Sequence, residues 1–500
     1  MRKTYLLLIL IIAISAFLRF YRLSDVYVFN LDEEYQAAYA WLQVLDPHPI
    51  WIGLIAAGLE FYVGPYLVYL TAIFLAISQG DPLITAYFAS FLGVITTAII
   101  FFVGNKIYNL TTGVVASLLY ATLPLFVFFD QKYWNPMFGP AVTALLLSSL
   151  ILTRHSKWWW LLFVGMAGAI FETHLPSAPL LLIGIWYFLK GKYWKDFRLV
   201  FFCLFVFLAF YWPLIVFDIN HNFSNLKVFT RILGKENLNI KIDPTSKFYS
   251  LFDSMGRFWY LKPGSPNADE INFGCSSLSL STGFRQIDKY TQRTYAPFWL
   301  SLISSYLLLF FLVKNLTSKI LSHKVLALFL TFLIISFLIY PGGAYEYYML
   351  GFLTLFIFVP AILISGQSRN IKLTAYCLIL LTSLLGINTV INTSDEFSLR
   401  PKKIIISKVM NIIGNESFSI EGRGICHNYE GWRYLFKVYG RAPNQSYTDS
   451  GLGWLYPDEI SKQSSFYTII LSEDRIPLDE DLSSLPSIKE GGYRAYIRKN

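Results

Sequence analysis

Twelve long apolar runs recur along the first 394 residues, and they constrain the fold more than any other feature of the sequence. They lie at 4–18, 61–80, 84–104, 110–129, 133–153, 158–171, 175–189, 199–217, 294–313, 325–340, 347–366 and 373–394. A helix of about 20 apolar residues crosses the ~30 Å hydrocarbon core of a bilayer. Only 15% of the 500 residues are charged, too few to cover a soluble protein of this size. We therefore predict an all-α polytopic membrane protein.

The net charge of +9 would suit a nucleic-acid partner, but the distribution of the charge indicates membrane orientation instead. Fourteen basic residues, against the single acid Asp196, lie at the N-terminus and in alternate short loops, namely 105–109, 154–157, 190–198, 314–324 and 367–372. The intervening short loops, at 130–132, 172–174 and 341–346, hold one base and three acids. Because basic short loops stay in the cytoplasm, the first set is predicted to be cytoplasmic and the second to face outward. We expect no nucleic-acid partner.

This loop order is consistent with a cytoplasmic N-terminus only if one apolar run does not cross the membrane. Segment 61–80 contains Pro65 and two glycines, and it is predicted to be a juxtamembrane or re-entrant helix at the outer leaflet. Segment 4–18 is then a retained signal anchor rather than a cleaved signal peptide. The result is a cell-membrane protein with eleven transmembrane helices. The alternative, an outward N-terminus with all twelve runs spanning, stays open from the residues alone.

Three long parts of the chain face outward in the preferred topology: a first loop at 19–83, a second loop at 218–293 and a C-terminal region at 395–500. The C-terminal region carries 14 basic and 14 acidic residues and alternating stretches such as SFYTIILS, which predict a small extracytoplasmic mixed α/β domain. Residues 1–394 form the transmembrane domain. Of the four cysteines, Cys275 and Cys426 would share the oxidising side and are candidates for a disulfide.

Three adjacent carboxylates, Asp32, Glu33 and Glu34, follow the first apolar run. Such a cluster near a bilayer raises at least one pKa or demands a cation or a substrate hydroxyl, so one carboxylate is a candidate general base. An acidic N-terminus of a helix that begins near Tyr35 is an equally good explanation, since the helix dipole favours acids there. The residues alone leave both open.

Four further polar clusters lie at predicted outward helix junctions. Each has a structural explanation of its own, as an interfacial aromatic belt, a helix start or a satisfied polar residue. Their convergence on one outer surface favours a functional site. The clusters are Asp130, Lys132, Trp134 and Asn135; Glu172 and His174; Asp218 and His221; and Tyr345, Glu346, Tyr347 and Tyr348.

Several motifs of soluble and energy-coupled enzymes are missing from the sequence. It contains no HExxH or CxxC, no GxxxxGK[ST] loop and no G-x-S-x-G elbow. These absences argue against a metalloprotease, an ATP-driven pump and a serine hydrolase. An enzyme with an outward site and no nucleotide site needs a donor that the membrane already carries, and a lipid-linked sugar meets that need.

The chain resembles the membrane glycosyltransferases of the C-type (GT-C) fold, in particular the relatives of protein O-mannosyltransferases and aminoarabinose transferases. The resemblance covers roughly residues 1–394, and it is carried by LDEEYQAAYAW, YVGPYLVYLTAIFLAISQGDP, FFVGNKIYNLTTGVVASLLYATLP, DQKYWNP, WPLIVFDINHNF and YEYYMLGFLTLFIFVP. It implies the GT-C fold and also prescribes a non-spanning segment at 61–80.

The resemblance implies inverting transfer of a hexose or pentose from a polyprenyl-phosphate carrier to a protein, lipid or glycan acceptor at the outer face. Asp32 then corresponds to the catalytic base and Glu33 to its acidic companion, which orients the acceptor or a cation. The implied substrate-binding residues are Asp130, Lys132 (where relatives often have arginine), Asn135, His174, His221, Tyr345, Tyr347 and Tyr348. A divalent metal stays possible, because relatives differ in requiring one. Glu34 and the C-terminal region have no counterpart in the motif.

Two functions compete with the enzyme. A transporter or flippase would suit the many helices and the acidic outward mouth, although transporters usually have two related halves and charges at mid-membrane. A membrane scaffold that presents the C-terminal domain would bind a lipid phosphosugar without turning it over.

Overall fold

The computed structural model describes residues 2–56, 61–173, 175–228, 244–261, 297–340, 344–423, 431–474, 478 and 482–500. Among these residues, seven helices are long and apolar enough to cross a membrane, or eight if one bent pair is a single span. The protein is therefore a multi-pass membrane protein. The seven are Leu83–Ile107, Asn135–Leu152, Phe197–Asn220, Phe298–Asn315, Leu321–Ile339, Glu346–Ser365 and Arg369–Asn392.

Each of the twelve predicted apolar runs coincides with a helix or a broken helix. The bent pair, Leu110–Thr122 and Pro124–Asp130, turns by 65° where Pro124 interrupts the backbone hydrogen bonds. Four further apolar helices are shorter: Thr4–Phe20, Tyr66–Ser78, Trp159–Glu172 and Leu175–Lys190. Eleven spans would require three of these short helices to cross, so that count stays a prediction.

The helices and strands of residues 1–392 follow in chain order. The helices are α1 (Arg2–Phe20), α2 (Leu31–Leu45), α3 (Tyr66–Ser78), α4 (Leu83–Ile107), α5 (Leu110–Thr122), α6 (Pro124–Asp130), α7 (Gly139–Leu152), α8 (Trp159–Glu172), α9 (Leu180–Lys190), α10 (Phe197–Asn220), α11 (Pro244–Arg257), α12 (Phe298–Asn315), α13 (Leu321–Ile339), α14 (Leu350–Phe356), α15 (Phe358–Ser365) and α16 (Arg369–Asn392). Strands β1 (Ile55–Ala56) and β2 (Phe61–Tyr62) form a short antiparallel pair before α3.

Helices α4 and α5 pack closely because glycines face each other at their contact. A Cβ added at Gly104 would lie 2.7 Å from the Cα of Gly113, a distance that no side chain tolerates. Small residues allow membrane helices to approach to this degree, where dispersion contacts rather than hydrophobic burial stabilise the pair.

Helix α3 is the segment that the sequence analysis predicts not to span. It begins after Pro65 and has 13 residues, or about 20 Å, which is shorter than the hydrocarbon core. It packs against α2, and Gln36 Nε2 of α2 donates a 2.8 Å hydrogen bond to Thr71 Oγ1 of α3.

The C-terminal residues fold as a small sheet with helices, as their alternating pattern predicts. After α17 (Leu399–Ile413) come β3 (Phe418–Gly422), α18 (Trp432–Tyr439), β4 (Gln445–Ser446), α19 (Asp449–Leu452), β5 (Tyr467–Glu473), β6 (Ser487–Glu490) and β7 (Tyr493–Lys499). The strand order is β4-β3-β5-β7-β6, parallel on the β4 and β3 side and antiparallel on the β7 and β6 side. The central strand β5 is buried over almost its whole length, which explains its apolar run.

Two of the expectations fall on residues that the structure does not describe. Cys275 and Cys426, the candidates for a disulfide, both lie outside the described residues, as does most of the second loop at 218–293. Within that loop, α11 is held by a buried ion pair in which Arg257 Nε lies 3.1 Å from Glu346 Oε1.

Candidate active site

The acidic motif stands at the start of α2, where Asn30 is the N-cap residue. Asn30 and Glu33 form a capping box, in which Glu33 Oε2 accepts a hydrogen bond from the Asn30 N–H at 3.1 Å. Asp32 instead remains exposed. The sequence left a helix cap and a reactive carboxylate as alternatives; the structure gives the capping role to Glu33 and leaves Asp32 accessible.

Glu33 is also the point where the first two polar clusters meet. Lys132 Nζ lies 3.2 Å from Glu33 Oε1, and the Glu33 side chain is 1% exposed. Burial raises the pKa of the Glu33 carboxyl and the nearby Asp32 charge adds to the rise, whereas Lys132 and the Asn30 N–H oppose it. A cation is therefore held one residue away from the exposed Asp32.

Lys132 is positioned by an aromatic ring as well as by Glu33. Its Nζ lies 4.5 Å from the centroid of the Trp134 ring, in a cation–π contact, and its side chain is 14% exposed. Trp134 packs in turn against Phe129 and, at 4.8 Å and 61°, against Tyr347. The ammonium group is thus held between Glu33 and Trp134; Lys132 itself does not line the cavity described next, whereas Trp134 does.

A cavity of about 130 Å³ opens beside this cluster, and side chains from distant parts of the chain line it. Among its lining residues are Asp32 and Gln36 of α2, Asn135 at the start of the turn before α7, and Tyr347 and Tyr348 at the turn before α14. Five residues of the clusters that the sequence analysis names are therefore brought together: Asp32, Trp134, Asn135, Tyr347 and Tyr348. These five come from three of the separate clusters.

Gln36 is a cavity residue that the sequence analysis did not select. Its Nε2 is committed to Thr71, whereas its Oε1 is buried without a hydrogen-bond partner among the described residues. The signal was available, because position 36 is four residues after Asp32 and shares its helix face. The Gln36 side-chain oxygen therefore keeps an unused capacity to accept a hydrogen bond beside the cavity.

Three tyrosines form an aromatic wall on the other side of the cavity. Tyr347 and Tyr348 contact each other at 4.4 Å between centroids, and Tyr345 stacks on Tyr347 at 5.4 Å and 14°. Tyr345 is not among the residues that line the cavity. It supports the wall from behind instead of facing a ligand.

Asp130 lies elsewhere, and the expectation that it lines the cavity with Asn135 is corrected. Its carboxylate forms a buried ion pair with Arg19 of α1, at 2.7 Å between Nη2 and Oδ2, and accepts a 3.0 Å hydrogen bond from Tyr120. Arg19 also donates to the carbonyl oxygens of Tyr120 and Ala121. The Asp130 carboxylate and the Arg19 guanidinium thus bond to each other and to neighbouring residues of the protein. The pair connects helices, and neither residue lines the cavity.

Of the two candidate histidines, His221 is described by the structure, and it does not line the cavity. His221, at the end of α10, stacks on Phe217 with 4.1 Å between centroids, and its Nδ1 lies 2.8 Å from the Phe217 carbonyl oxygen. His174 lies outside the described residues, although its neighbour Thr173 lines the cavity. His221 is thus a satisfied helix-end residue.

Glu34, the third carboxylate, points away from Asp32 and into the C-terminal region. Its Oε1 accepts hydrogen bonds from the Tyr434 N–H at 3.2 Å and from the Tyr456 hydroxyl at 3.0 Å. These partners are 400 and 422 residues away in the chain, so no local pattern predicted them.

The described residues contain no group of three or more His, Cys, Asp or Glu side chains that could hold a metal ion. Near Asp32 the adjacent carboxylate of Glu33 is already engaged by Lys132 and the Asn30 N–H. The carboxylates at Asp32 and Glu33 therefore do not form a set of ligands that fits a metal ion.

Comparison with solved structures reveals the same architecture in membrane glycosyltransferases. ArnT from Cupriavidus metallidurans, an aminoarabinose transferase, matches in its undecaprenyl phosphate complex with a TM-score of 0.59 and 10% identity, over 98% of this chain and 97% of that one. The same protein in the apo state gives a TM-score of 0.52, 12% identity and the same coverage. The archaeal oligosaccharyltransferase AglB from Archaeoglobus fulgidus, in complex with an inhibitory peptide and a dolichol-phosphate, gives 0.47 and 12% identity over 93% of this chain and 69% of that one.

No protein-family model matches the sequence, and no curated protein matches it significantly. At 10–12% identity the similarity to ArnT shows the fold and nothing more specific. The predicted fold class is confirmed at that level: this chain shares the C-type membrane glycosyltransferase fold with ArnT along nearly its whole length.

Proposed function

We propose that this protein is an inverting glycosyltransferase that moves a sugar from a polyprenyl-phosphate carrier to an acceptor at the outer face of the membrane. The observation that carries the proposal is the exposed Asp32 carboxylate lining a cavity, with the Lys132 ammonium held against Trp134 of the same lining, on the fold of ArnT. A transporter has no comparable support, because no specific feature of the described residues favours it.

Asp32 is the proposed general base. The Asp32 carboxylate is exposed at the second position of α2 and lines the cavity, so it is accessible to a substrate. The acceptor's hydroxyl or amine group attacks the anomeric carbon, the bond from that carbon to the phosphate oxygen breaks, and Asp32 accepts the acceptor's proton. Attack opposite to the leaving group inverts the anomeric configuration.

The departing polyprenyl phosphate carries the negative charge that develops. Lys132 is the proposed cation for it, and the Asn135 amide and the Tyr347 and Tyr348 hydroxyls are the proposed hydrogen-bond donors. Gln36 Oε1 is free to accept from a hydroxyl of the acceptor or of the sugar. Such groups suffice because the leaving group needs stabilisation but no proton.

The proposed topology follows the basic loops, with the N-terminus in the cytoplasm and both the cavity and the C-terminal region outside. In ArnT the bound ligand is undecaprenyl phosphate, and in AglB it is a dolichol-phosphate. A carrier of this chemical class arrives within the membrane and requires no nucleotide site in the protein. Lys132 and the aromatic wall, which lie where α4, α7 and α14 meet the loops, would receive its head group.

The proposal is tested with purified protein in liposomes that contain polyprenyl-phosphate hexoses or pentoses. Protein, lipid and glycan acceptors are supplied in separate reactions, and the anomeric configuration of each product is determined by NMR. We expect transfer with inversion from at least one donor. Transfer with retention, or no transfer from any polyprenyl-phosphate sugar by folded protein, would overturn the proposal.

A further inference from the structure

Residues of the C-terminal region hold the first turn of α2, the helix that carries Asp32. The proposed chemistry gives this region no role, and these contacts suggest one. The contacts fall on Phe29 and Asn30, just before α2, and on Glu34, two residues after Asp32. They come from α17, from α18 and from the turn that precedes β5.

The first contact comes from Lys402 of α17, a fully buried lysine. Its Nζ donates to the Phe29 carbonyl oxygen at 2.9 Å and lies 3.3 Å from Asn30 Oδ1. Asn30 is the N-cap of α2 and the partner of Glu33 in the capping box. The side chain that sets the start of α2 is thus itself held by a residue 372 positions later.

The second contact is made by Glu34, which caps a helix of the other region. Gly431 precedes α18, and Tyr434 is the third residue of that helix, so its N–H is one of the donors that a helix leaves unpaired. Glu34 Oε1 accepts from this N–H and from the Tyr456 hydroxyl, and Glu34 is fully buried. A carboxylate at the positive end of a helix is favoured by the dipole.

The start of α18 packs tightly against the residues before α2. Gly431 has a φ of +75°, and a Cβ there would lie 2.5 Å from Phe29 Cδ1, so only glycine lets α18 approach the residue before Asn30. Phe29 stacks on Tyr434 at 5.6 Å. Burial without voids means that a shift of α18 is transmitted to the first turn of α2.

We propose that Lys402 and Tyr456 of the C-terminal region are positioning residues, which hold the first turn of α2 so that the Asp32 carboxylate keeps its place in the cavity. The inference rests on the proposed function. It means that the C-terminal region contributes to the rate of sugar transfer by holding α2 in place. Misplacement of a reacting group by about 1 Å can reduce a rate by about a hundredfold.

A neighbouring lysine separates positioning from simple docking. Lys403 also connects α17 to the first loop, where its Nζ lies 3.1 Å from Asp81 Oδ2, but Asp81 is distant in sequence from α2 and lies at the turn between α3 and α4. Both variants remove one charge between the same two regions: Lys402→Met removes the contacts with Phe29 and Asn30, and Lys403→Met removes the ion pair with Asp81. Only the first disturbs the start of α2.

The test compares kcat and KM for sugar transfer, together with the thermal unfolding temperature, in the full-length protein. We expect Lys402→Met to lower kcat about tenfold to a hundredfold with little change in the donor KM. Lys402→Arg keeps a donor to Phe29 and Asn30 and is expected to recover most of the loss. Lys403→Met is expected to stay within about twofold of the wild type, because half-exposed ion pairs contribute little.

Tyr456→Phe provides a second test should Lys402→Met not fold, because it removes only the hydroxyl that Glu34 accepts from and retains the ring. A lower kcat at an unchanged unfolding temperature supports positioning. Wild-type kcat in folded Lys402→Met or in Tyr456→Phe, or equal losses in Lys402→Met and Lys403→Met, would overturn the inference. The proposed function fails separately, if the wild type itself transfers no sugar.

Discussion

Two ion pairs, Arg19–Asp130 and Lys132–Glu33, involve residues that are close in the sequence but have different surroundings. Arg19 and Asp130 are both buried, and each is saturated by neighbouring carbonyl and hydroxyl groups. Lys132 and Glu33 do not line the cavity themselves but contact or adjoin residues that do: Lys132 is 14% exposed and lies over the Trp134 ring, and Glu33 follows Asp32. Asp130 and Lys132 come from one short sequence, DQK, yet the first joins helices and the second contacts a residue of the cavity lining.

The comparison shows that residue type alone does not decide whether a charged side chain can bind a substrate. What decides it is whether the side chain has hydrogen-bonding capacity that the protein itself does not use. A charge whose partners are all internal has nothing left for a substrate. A buried pair of this kind is costly to break, because the survivor is left uncompensated in a medium of low dielectric constant. A charge beside a cavity keeps bonding capacity and can respond to a ligand.

The largest effect on stability is expected from Asp130→Ala, which leaves the Arg19 guanidinium buried without its carboxylate. Breaking a buried pair in this way costs about 3–5 kcal/mol of unfolding free energy. Thermal or denaturant unfolding in detergent measures the loss. Replacing both members together, in Arg19→Met with Asp130→Leu, should recover much of it; a stable Asp130→Ala protein that has lost only sugar transfer would show that Asp130 acts on substrate.

Lys132→Met should have a different profile, with a large effect on transfer and a smaller one on stability than Asp130→Ala. Loss of one group that stabilises developing charge reduces kcat about 10²–10³-fold. The variant also leaves the buried Glu33 Oε1 without its cation, so the unfolding temperature should fall as well, but by less than in Asp130→Ala, because Glu33 Oε2 keeps its hydrogen bond from the Asn30 N–H. Lys106→Met, in a predicted cytoplasmic loop, is the matched control; equal activity of both variants would remove Lys132 from the account.

The sequence predicted much of the architecture, because membrane helices are encoded in continuous local runs. The twelve apolar runs, the strands near the C-terminus and the proximity of Lys132 to the acidic motif could all be predicted. The Arg19–Asp130 pair could not, since its members are 111 residues apart and polar residues at helix ends look alike in a sequence. The partners of Glu34 could not be predicted either, because a contact between residues far apart in the chain leaves no periodic pattern in the sequence.

A smaller effect concerns the pH dependence of stability through Glu34. Burial raises the pKa of its carboxyl above the ordinary 4.5, against the opposing hydrogen bonds of Tyr434 and Tyr456 and the charges of Lys402 and Arg433. The folded state then binds more protons than the unfolded state just above pH 4.5, so this residue's contribution to stability falls as the pH rises through that range.

The matched variant for this effect is Glu34→Gln, which keeps the oxygen that accepts from Tyr434 and Tyr456 but does not titrate. The difference in unfolding temperature between Glu34→Gln and the wild type should grow in favour of the variant as the pH rises from 4.5 toward neutrality. Thermal unfolding across this range measures it. A difference that is constant with pH would mean that Glu34 does not carry the raised pKa.

The most direct measurement of the central claim is single-turnover sugar transfer by Asp32→Asn in liposomes, with polyprenyl-phosphate binding measured in parallel. Asp46→Asn, at the other end of α2 where the Asp46 side chain is 92% exposed, is the matched control. If Asp32 is the general base, Asp32→Asn binds the carrier as the wild type does but transfers sugar about 10²–10⁴ times more slowly, while Asp46→Asn is unaffected. Wild-type transfer by Asp32→Asn would contradict the account.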